Sequence, residues 1–492
     1  MNLIPLLILF LPLLACAGIL AGQPARRLSV LTGLANLGLT LALCGGYDVV
    51  RGGYQMVFET APLHLAYFFP ITFVLGVDGI SLAMLLLKAL VSLAAVGASP
   101  ADVRREREFF ICLNLISLGA FGAFLSLDLF FIYVFHEVAL IPTFLMIGIW
   151  GSHDRKFAAN QMTLYLGGAS LVLLVAILAY YFALPEGLRS LDLRDLYGQV
   201  GPKTLKPVAQ QGIFLLLFIG CGALVSIWPL HSWAPKGYAA APAPTAMLHA
   251  GVLKKFGLYL LLRLAVPFLP AGMHDLAPLV LALALGNVLY IGWVTIAQKD
   301  LSLTLGYSSV MHMGYLFLGL LAATAPRDLA MVGLTGMVLL MVGHGLSAAL
   351  LFGTLAEVRE RIGSTLFKDM GGLASRTPVL AFLFILGALA SIGVPGLANF
   401  SGEIMIFFGT WKNFTPYVVV MLFGLVISAI YMLRAVRHTF YGESSSAPDV
   451  LDIRATGRTW PYAVLAAALL ALGIWPGLLI HNLQPSLEAL LK

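Results

Sequence analysis

The chain has 492 residues, of which 60% are hydrophobic and only 11% charged, with a formal net charge of +6. Soluble globular domains carry roughly 25% charged residues, so this composition excludes a soluble enzyme and points to one polytopic membrane domain. The surplus of base sits in short connections between apolar runs, which excludes a nucleic-acid-binding patch. The four cysteines, Cys16, Cys44, Cys112 and Cys221, have neither metal-ligand nor redox spacing.

Taken in order, the apolar runs predict spans near 2–22, 28–46, 72–97, 108–126, 127–150, 158–184, 210–232, 242–268, 276–297, 301–323, 328–356, 377–410, 415–439 and 460–482. That is about fourteen crossings, at about 20 residues for each. Residues 1–22 lack a basic leader and read as a retained first helix. Alternate loops carry the base: Arg26 and Arg27; Arg104, Arg105 and Arg107; Arg155 and Lys156; Lys299; Arg359 and Arg361; Arg434 and Arg437. The intervening loops are poorer in base or offset by acid, as in 185–209 with Glu186, Asp192 and Asp195. The positive-inside rule then makes the basic loops cytoplasmic and puts both termini on the outer side. Residues 440–459 read as the longest polar cytoplasmic connection.

Two spans are interrupted. Between Trp228 and Thr245 stand Pro229, Pro235, Pro242 and Pro244; between Ser391 and Glu403 stand Gly393, Pro395 and Gly396. Irregular backbone at membrane depth survives only where it is buried in protein or lines a wet cavity. The breaks lie about five spans apart, the pattern of two inverted five-helix repeats with sites at broken helices. The expected fold is therefore an all-α polytopic membrane protein with these divisions: N-terminal helices 1–3 in 1–107, a first repeat in 108–268, a second in 276–439, and a cytoplasmic linker with a last helix in 440–492.

Charges inside the spans carry the functional reading. The run Leu125–Trp150 is organised around Glu137, next to His136 and five residues before Pro142. An acid at bilayer depth costs ~2.5–3.5 kcal/mol or more unless it is neutral, paired or facing water. Lys254 and Lys255 follow the proline-rich break, and one of the two is expected to snorkel or pair while the other faces the interior. His249, His312 and His344 lie in successive spans, Glu403 follows the second break, Asp78 opens the third span and Lys88 lies inside it. A lone histidine in a helix is more often a hydrogen-bonded core residue than a proton carrier. A series of His, Lys and Glu at similar depth marks an ion or proton pathway. Without a phosphate-binding loop, a metal-ligand cluster or a nucleophile–base pair, the residues by themselves lead to a membrane cation or proton translocator.

The motifs HEVALIPTFLMIGIWG, PLHSWAP with APTAMLHAGVLKKFGLYLLLR, GYSSVMHMGY, GHGLSAALLF and NFSGEIMIFFG resemble the antiporter-like subunits of respiratory complex I. The likeness covers roughly residues 70–440 and is nearest to the M type, equivalent to mitochondrial subunit 4; Mrp-type antiporter subunits belong to the same superfamily. The resemblance implies a proton-translocating membrane subunit of a complex I-type NADH:quinone oxidoreductase, with a half-channel in each repeat. It implies that Glu137, Lys255, His312, His344 and Glu403 carry the protons; Lys254, Lys88 and His249, by their place inside the spans and not by the resemblance, are candidate auxiliaries. It further implies no cofactor in this chain, NADH, FMN, iron–sulfur clusters and quinone belonging to partner subunits. The implied partners are other membrane subunits, among them further antiporter-like ones, in a bacterial inner membrane. An Mrp-type cation/proton antiporter subunit and a non-pumping structural subunit are the alternative readings.

The chain departs from the family pattern at several positions. The seventh-span lysine that partners the glutamate falls on Leu224, and a sixth-span lysine on Gln161. The aspartate after tryptophan–x–proline is Lys236, and the basic pair after Asp300 is Ser302 and Leu303. Three accounts of the lost lysine stay open: Lys88 supplies the charge, Lys254 supplies it, or the first half-channel does not pump.

Overall fold

In hydrocarbon every backbone donor and acceptor must be satisfied within the protein, and a helix does this within one segment. The computed structural model describes residues 3–61, 63–66, 69–152, 154–442, 451–455 and 457–491, and nearly every apolar run in it is helical. The N-terminal helices are α1 (Ile4–Leu20), α2 (Ala25–Gly46), α3 (Gly79–Gly97), α4 (Glu106–Leu125), α5 (Leu129–Trp150) and α6 (Arg155–Ala183). A short α7 (Leu193–Gln199) leads to α8 (Pro207–Val225), α9 (Trp233–Ala240), α10 (Ala243–Gly251) and α11 (Phe256–Phe268). Next, α12 (Pro270–Leu285) passes through a π-helical turn, Gly286–Ile291, into α13 (Gly292–Ile296). The chain ends with α14 (Leu301–Leu321), α15 (Arg327–Ile362), the one-turn α16 (Leu373–Arg376), α17 (Pro378–Ile392), α18 (Ala398–Phe440), α19 (Trp460–Ile474) and α20 (Gly477–Leu490).

Among the described residues ten helical runs are long and apolar enough to cross a membrane, or eleven if α19 and α20, bent by 70°, form one span. Other expected spans fall on the shorter apolar helices α1 and α17 and on the broken run α10–α11. The expected spans 377–410 and 415–439 are realised as α17, a break, and the 43-residue α18, which is kinked at Phe414 just before Pro416. The expected linker lies partly outside the described residues, at 443–450 and 456. Its described remainder is tied down: Asp452 accepts from the N-terminal amides of Val379 and Leu380 in α17, and Arg458 pairs with Glu357 and Glu360.

The third span needs correction at its start. Val74–Val77 is a strand (β4) paired antiparallel with Gln55–Glu59 (β1), and Leu63–Ala66 (β2) pairs with Phe69–Ile71 (β3), so the chain is not purely helical. The helix begins only at Gly79 because Asp78 caps it: its carboxylate accepts from Ser81 N at 2.9 Å while Ser81 Oγ accepts from Asp78 N at 2.8 Å. Asp128 and Asp300 cap α5 and α14 in the same way, through the amides of Phe130 and Leu303. Beyond the spans, Arg194 joins Glu59 to Asp192, and its hydrogen bond and charge hold the Glu59 carboxyl below the usual carboxylate range.

The long α15 is the central helix. It packs against α3, α10, α14, α17, α18, α19 and α20. Where it crosses α18, a side chain on Gly409 would sit 2.4 Å from the Gly333 backbone, so two hydrogens let the helices touch. A second fixed point joins α3 to α11. Arg263 is wholly buried and donates through both terminal nitrogens to Asp78, at 2.6 and 2.5 Å, between the rings of Tyr54 and Tyr259.

Removing one partner of such a pair strands the other charge. Asp78→Ala is therefore expected to destabilise the chain by ~3–5 kcal/mol, whereas Asp78→Ala with Arg263→Met recovers most of that loss. Thermal unfolding in detergent measures both; equal losses in the two variants would show that the pair is not what joins α3 to α11.

Candidate functional site: a buried row of titratable side chains

The row starts where helices stop. Pro242 follows Ala241 and separates α9 from α10; α10 in turn ends at Val252, where the backbone (φ −122°, ψ −62°) leaves the helix for a 3₁₀ turn, Leu253–Lys255. A broken helix leaves carbonyls without an amide partner. Lys255 fills that need, its Nζ donating to Ala250 O at 2.5 Å. The same Nζ lies 2.9 Å from His344 Nδ1, in the middle of α15. Lys254 turns the other way, donating to Ser309 O at 3.1 Å and Ser309 Oγ at 3.3 Å on α14, with its ammonium over the Tyr238 ring. Both lysines are wholly buried, and of the two expected alternatives, snorkelling or pairing, neither lysine snorkels and each finds a hydrogen-bond partner.

From His344 the row continues to His312, the two rings being 5.5 Å apart. His312 faces a carbonyl at each nitrogen, Ser308 O from Nδ1 and Ser391 O from Nε2, both at 2.8 Å. A neutral imidazole has one N–H, so only the doubly protonated ring satisfies both contacts. The Ser391 carbonyl lies at the frayed end of α17, two residues before Gly393. There the backbone turns left-handed (φ +84°), and a Cβ would lie 2.2 Å from Glu403 Oε2. Glu403 is buried, and its other oxygen has no hydrogen-bond partner among the described residues. Between α14, α15 and α17 a cavity of about 10 Å³ touches Ser309, His344, Ser347 and Ser391, room for about one water.

The opposite end of the row is built on α5. Glu137 is 31% exposed, accepts from the Ser170 hydroxyl on α6, and lies 3.4 Å from His136 Nδ1. The His136 ring stacks on Phe256, the first residue of α11, at 4.3 Å. His249 on α10 meets Tyr238 OH at 3.3 Å, and Tyr238 is the ring beneath Lys254. A second cavity of about 10 Å³ lies against His136, His249 and Leu224. The position that the family pattern gives to a lysine thus borders a void next to two histidines.

The structure brings Lys255, His344 and His312 into one line, sets Glu403 at its far end behind Gly393, and connects His249 to Lys254 through Tyr238. Glu137 is paired by a neighbour that the sequence reading had passed over, His136. Neither Lys88 nor Lys254 contacts Glu137 among the described residues. Lys88 is instead held between α3 and α4 by Ser92, by Ser117 at 3.2 Å and by the Phe121 ring. The sequence reading also missed Tyr238, Ser309 and the Ser391 carbonyl. Only the His136–Glu137 adjacency was visible in one dimension. Among the described residues no three His, Cys, Asp or Glu side chains come together as a metal-ligand set.

The family model described as "NADH:quinone oxidoreductase/Mrp antiporter, TM" matches residues 126–429. NADH-quinone oxidoreductase subunit M of Rhodobacter capsulatus is 30% identical, over 99% of this chain and 96% of its own. The Pseudomonas aeruginosa protein of the same name is 33% identical, over 82% and 79%. Among solved structures, a chain of Thermus thermophilus respiratory complex I superimposes with a TM-score of 0.87 at 30% identity, covering 99% of this chain and all of that one. A chain of the Dietzia Mrp complex shares the fold alone, with a TM-score of 0.81 at 21% identity.

Gly393→Ala introduces both a strained left-handed residue and a clash with Glu403, whereas Gly396→Ala (φ +89°, nothing within 4 Å) introduces only the strain. Strain of this kind costs about 1–3 kcal/mol. The Gly393 variant is expected to lose more thermal stability than the Gly396 variant, and Glu403→Ala is expected to restore the difference. Equal losses at 393 and 396 would mean that the carboxylate does not rest on Gly393.

Proposed function

Because the chain belongs to the NADH:quinone oxidoreductase/Mrp antiporter family, we propose that it is the proton-translocating, antiporter-like membrane subunit of a complex I-type NADH:quinone oxidoreductase. The observation that carries this reading is the line Lys255–His344–His312, joined by contacts of 2.9 Å and 5.5 Å and sealed from lipid on every side. Each member can hold or release a proton, and each carries its charge close enough to alter its neighbour's preference by Coulomb interaction in a low-dielectric interior. A proton taken by His344 from Lys255 repels one on His312; His312 shares the break of α17 with Glu403, from which the proton leaves. The water-sized cavities beside His344 and beside His136 and His249 support wet links to the two faces.

In this reading 108–268 and 276–439 are the two inverted repeats, each contributing one broken helix to the row. Glu137, His136, His249 and Tyr238 form the first half-channel, with His136 in place of the lysine missing at Leu224. The alternation of basic loops supports a bacterial inner-membrane location with both termini outside. NADH, FMN, iron–sulfur clusters and quinone belong to partner subunits, whose redox chemistry drives the row. The antiporter alternative is named in the same family description and shares the fold, but the named relatives reported above are NADH-quinone oxidoreductase subunits; sodium-dependent transport in membranes free of NADH dehydrogenase would favour it.

Proteoliposomes holding the parent complex test the assignment. Lys255→Ala is expected to keep NADH oxidation and assembly while proton uptake is abolished, because the row loses the group that holds a proton beside His344. Glu403→Gln is expected to lower uptake as well. A wild-type proton-to-electron ratio in Lys255→Ala would overturn the row. His136→Ala and Glu137→Gln report on the first half-channel: both are expected to reduce uptake, and an unchanged ratio in both would remove it from the path.

A further inference from the structure

A wide cavity among the described residues is not part of the row. It measures about 660 Å³ and opens where the basic loops after α5 and α13 meet the end of α15. Three of the positions at which the sequence departs from the family pattern line it: Lys236, Ser302 and Leu303. Two cations line it with few partners among the described residues. Arg359, half-buried near the end of α15, makes one long side-chain hydrogen bond there, to Ser152 Oγ at 3.4 Å. Lys236, on α9, rests its ammonium over the Phe157 ring and makes no ion pair among the described residues. Ser302 and Tyr307 on α14 also line the cavity.

Neither acid in the wall makes an ion pair with these cations among the described residues. Asp300 has both oxygens engaged, one capping Leu303 N at 3.0 Å and the other accepting from Thr365 Oγ1 at 2.6 Å. Asp154 is exposed and forms part of the wall before α6. Two charged donors without an ion-pair partner therefore line a space of the size that holds a small ligand. An oxyanion with several acceptors fits that set: guanidinium recognises phosphate with a planar fork, and ammonium acts as a point charge.

We infer that this vestibule binds a phosphate oxyanion, held by Lys236 and Arg359, either on an acidic phospholipid headgroup or as a free phosphate. Basic pockets between helices at a membrane surface are suited to headgroups. The inference does not depend on the proton row, and neither cation belongs to it.

The test uses the complex purified through a tag on this chain, as wild type, as Lys236→Gln/Arg359→Gln, and as Lys236→Arg. In nanodiscs of phosphatidylcholine with a minority of phosphatidylglycerol, native mass spectrometry counts the phosphatidylglycerol retained. In nanodiscs of phosphatidylcholine alone, radiolabelled inorganic phosphate measures affinity for the free ion. The wild type is expected to retain one more phosphatidylglycerol than the double variant, or to bind phosphate about tenfold or more tightly. Lys236→Arg is expected to behave as the wild type. Asp154→Asn, which removes the acid from the wall, is expected to strengthen binding. Retention of lipid without phosphate affinity identifies the headgroup as ligand; phosphate affinity without lipid retention identifies the free ion. Equal lipid retention and equal phosphate affinity in the wild type and the double variant, with NADH turnover showing both intact, would overturn the site.

Discussion

A charge at bilayer depth survives only if the protein supplies what water would have supplied, and in this chain broken helices do so. Where α10 gives out, Ala250 offers a carbonyl that no amide claims, and the Lys255 ammonium takes it. Where α17 gives out, Ser391 offers another, and His312 takes that one. Both breaks look costly when each helix is considered alone, yet each provides a fixed dipole aimed at a proton-bearing side chain. The rest of the molecule serves this arrangement. The long α15 holds His344, and glycines where it crosses α18, the helix of Glu403, let the two backbones come close.

The two ends of the row are chemically unlike. At one, Glu403 is buried with an oxygen that nothing among the described residues satisfies. At the other, Glu137 is partly exposed, bonded by Ser170 and flanked by a histidine. The loss of a lysine at Leu224 has not left Glu137 isolated, because the residue before it turns into the same space. An imidazole offers a planar ring with two nitrogens where a lysine would offer a flexible ammonium, so what lies beside Glu137 is fixed by its stacking on Phe256.

Much of this architecture could be read from the sequence, for identifiable reasons. Spans announce themselves by hydrophobicity, and the two major breaks by clustered proline and glycine. The aspartate caps of α3, α5 and α14 stand where apolar runs begin. Glu137, Lys255, His312, His344 and Glu403 stand out because charged and titratable groups are rare in such runs. What escaped was information held in three dimensions. The turn at Val252–Lys255 has no proline or glycine between Val252 and Lys255 to mark it. The strand before α3 is as apolar as the helix it precedes, so hydropathy merged the two. The contacts of Lys88 with Ser92 and Ser117, and of Lys254 with Ser309, depend on which face each helix turns inward, and nearby lysines with equal claims in the sequence diverge to different helices.

The Asp78–Arg263 pair has a consequence for the lysine that precedes it. Arg263 sits at the middle of α11, two turns beyond Lys255, so the Ala250 carbonyl and the bidentate ion pair fix the first half of the helix at two points. A segment pinned twice keeps the dipoles around the Lys255 ammonium oriented, which is the stiffness that a preorganised polar site requires.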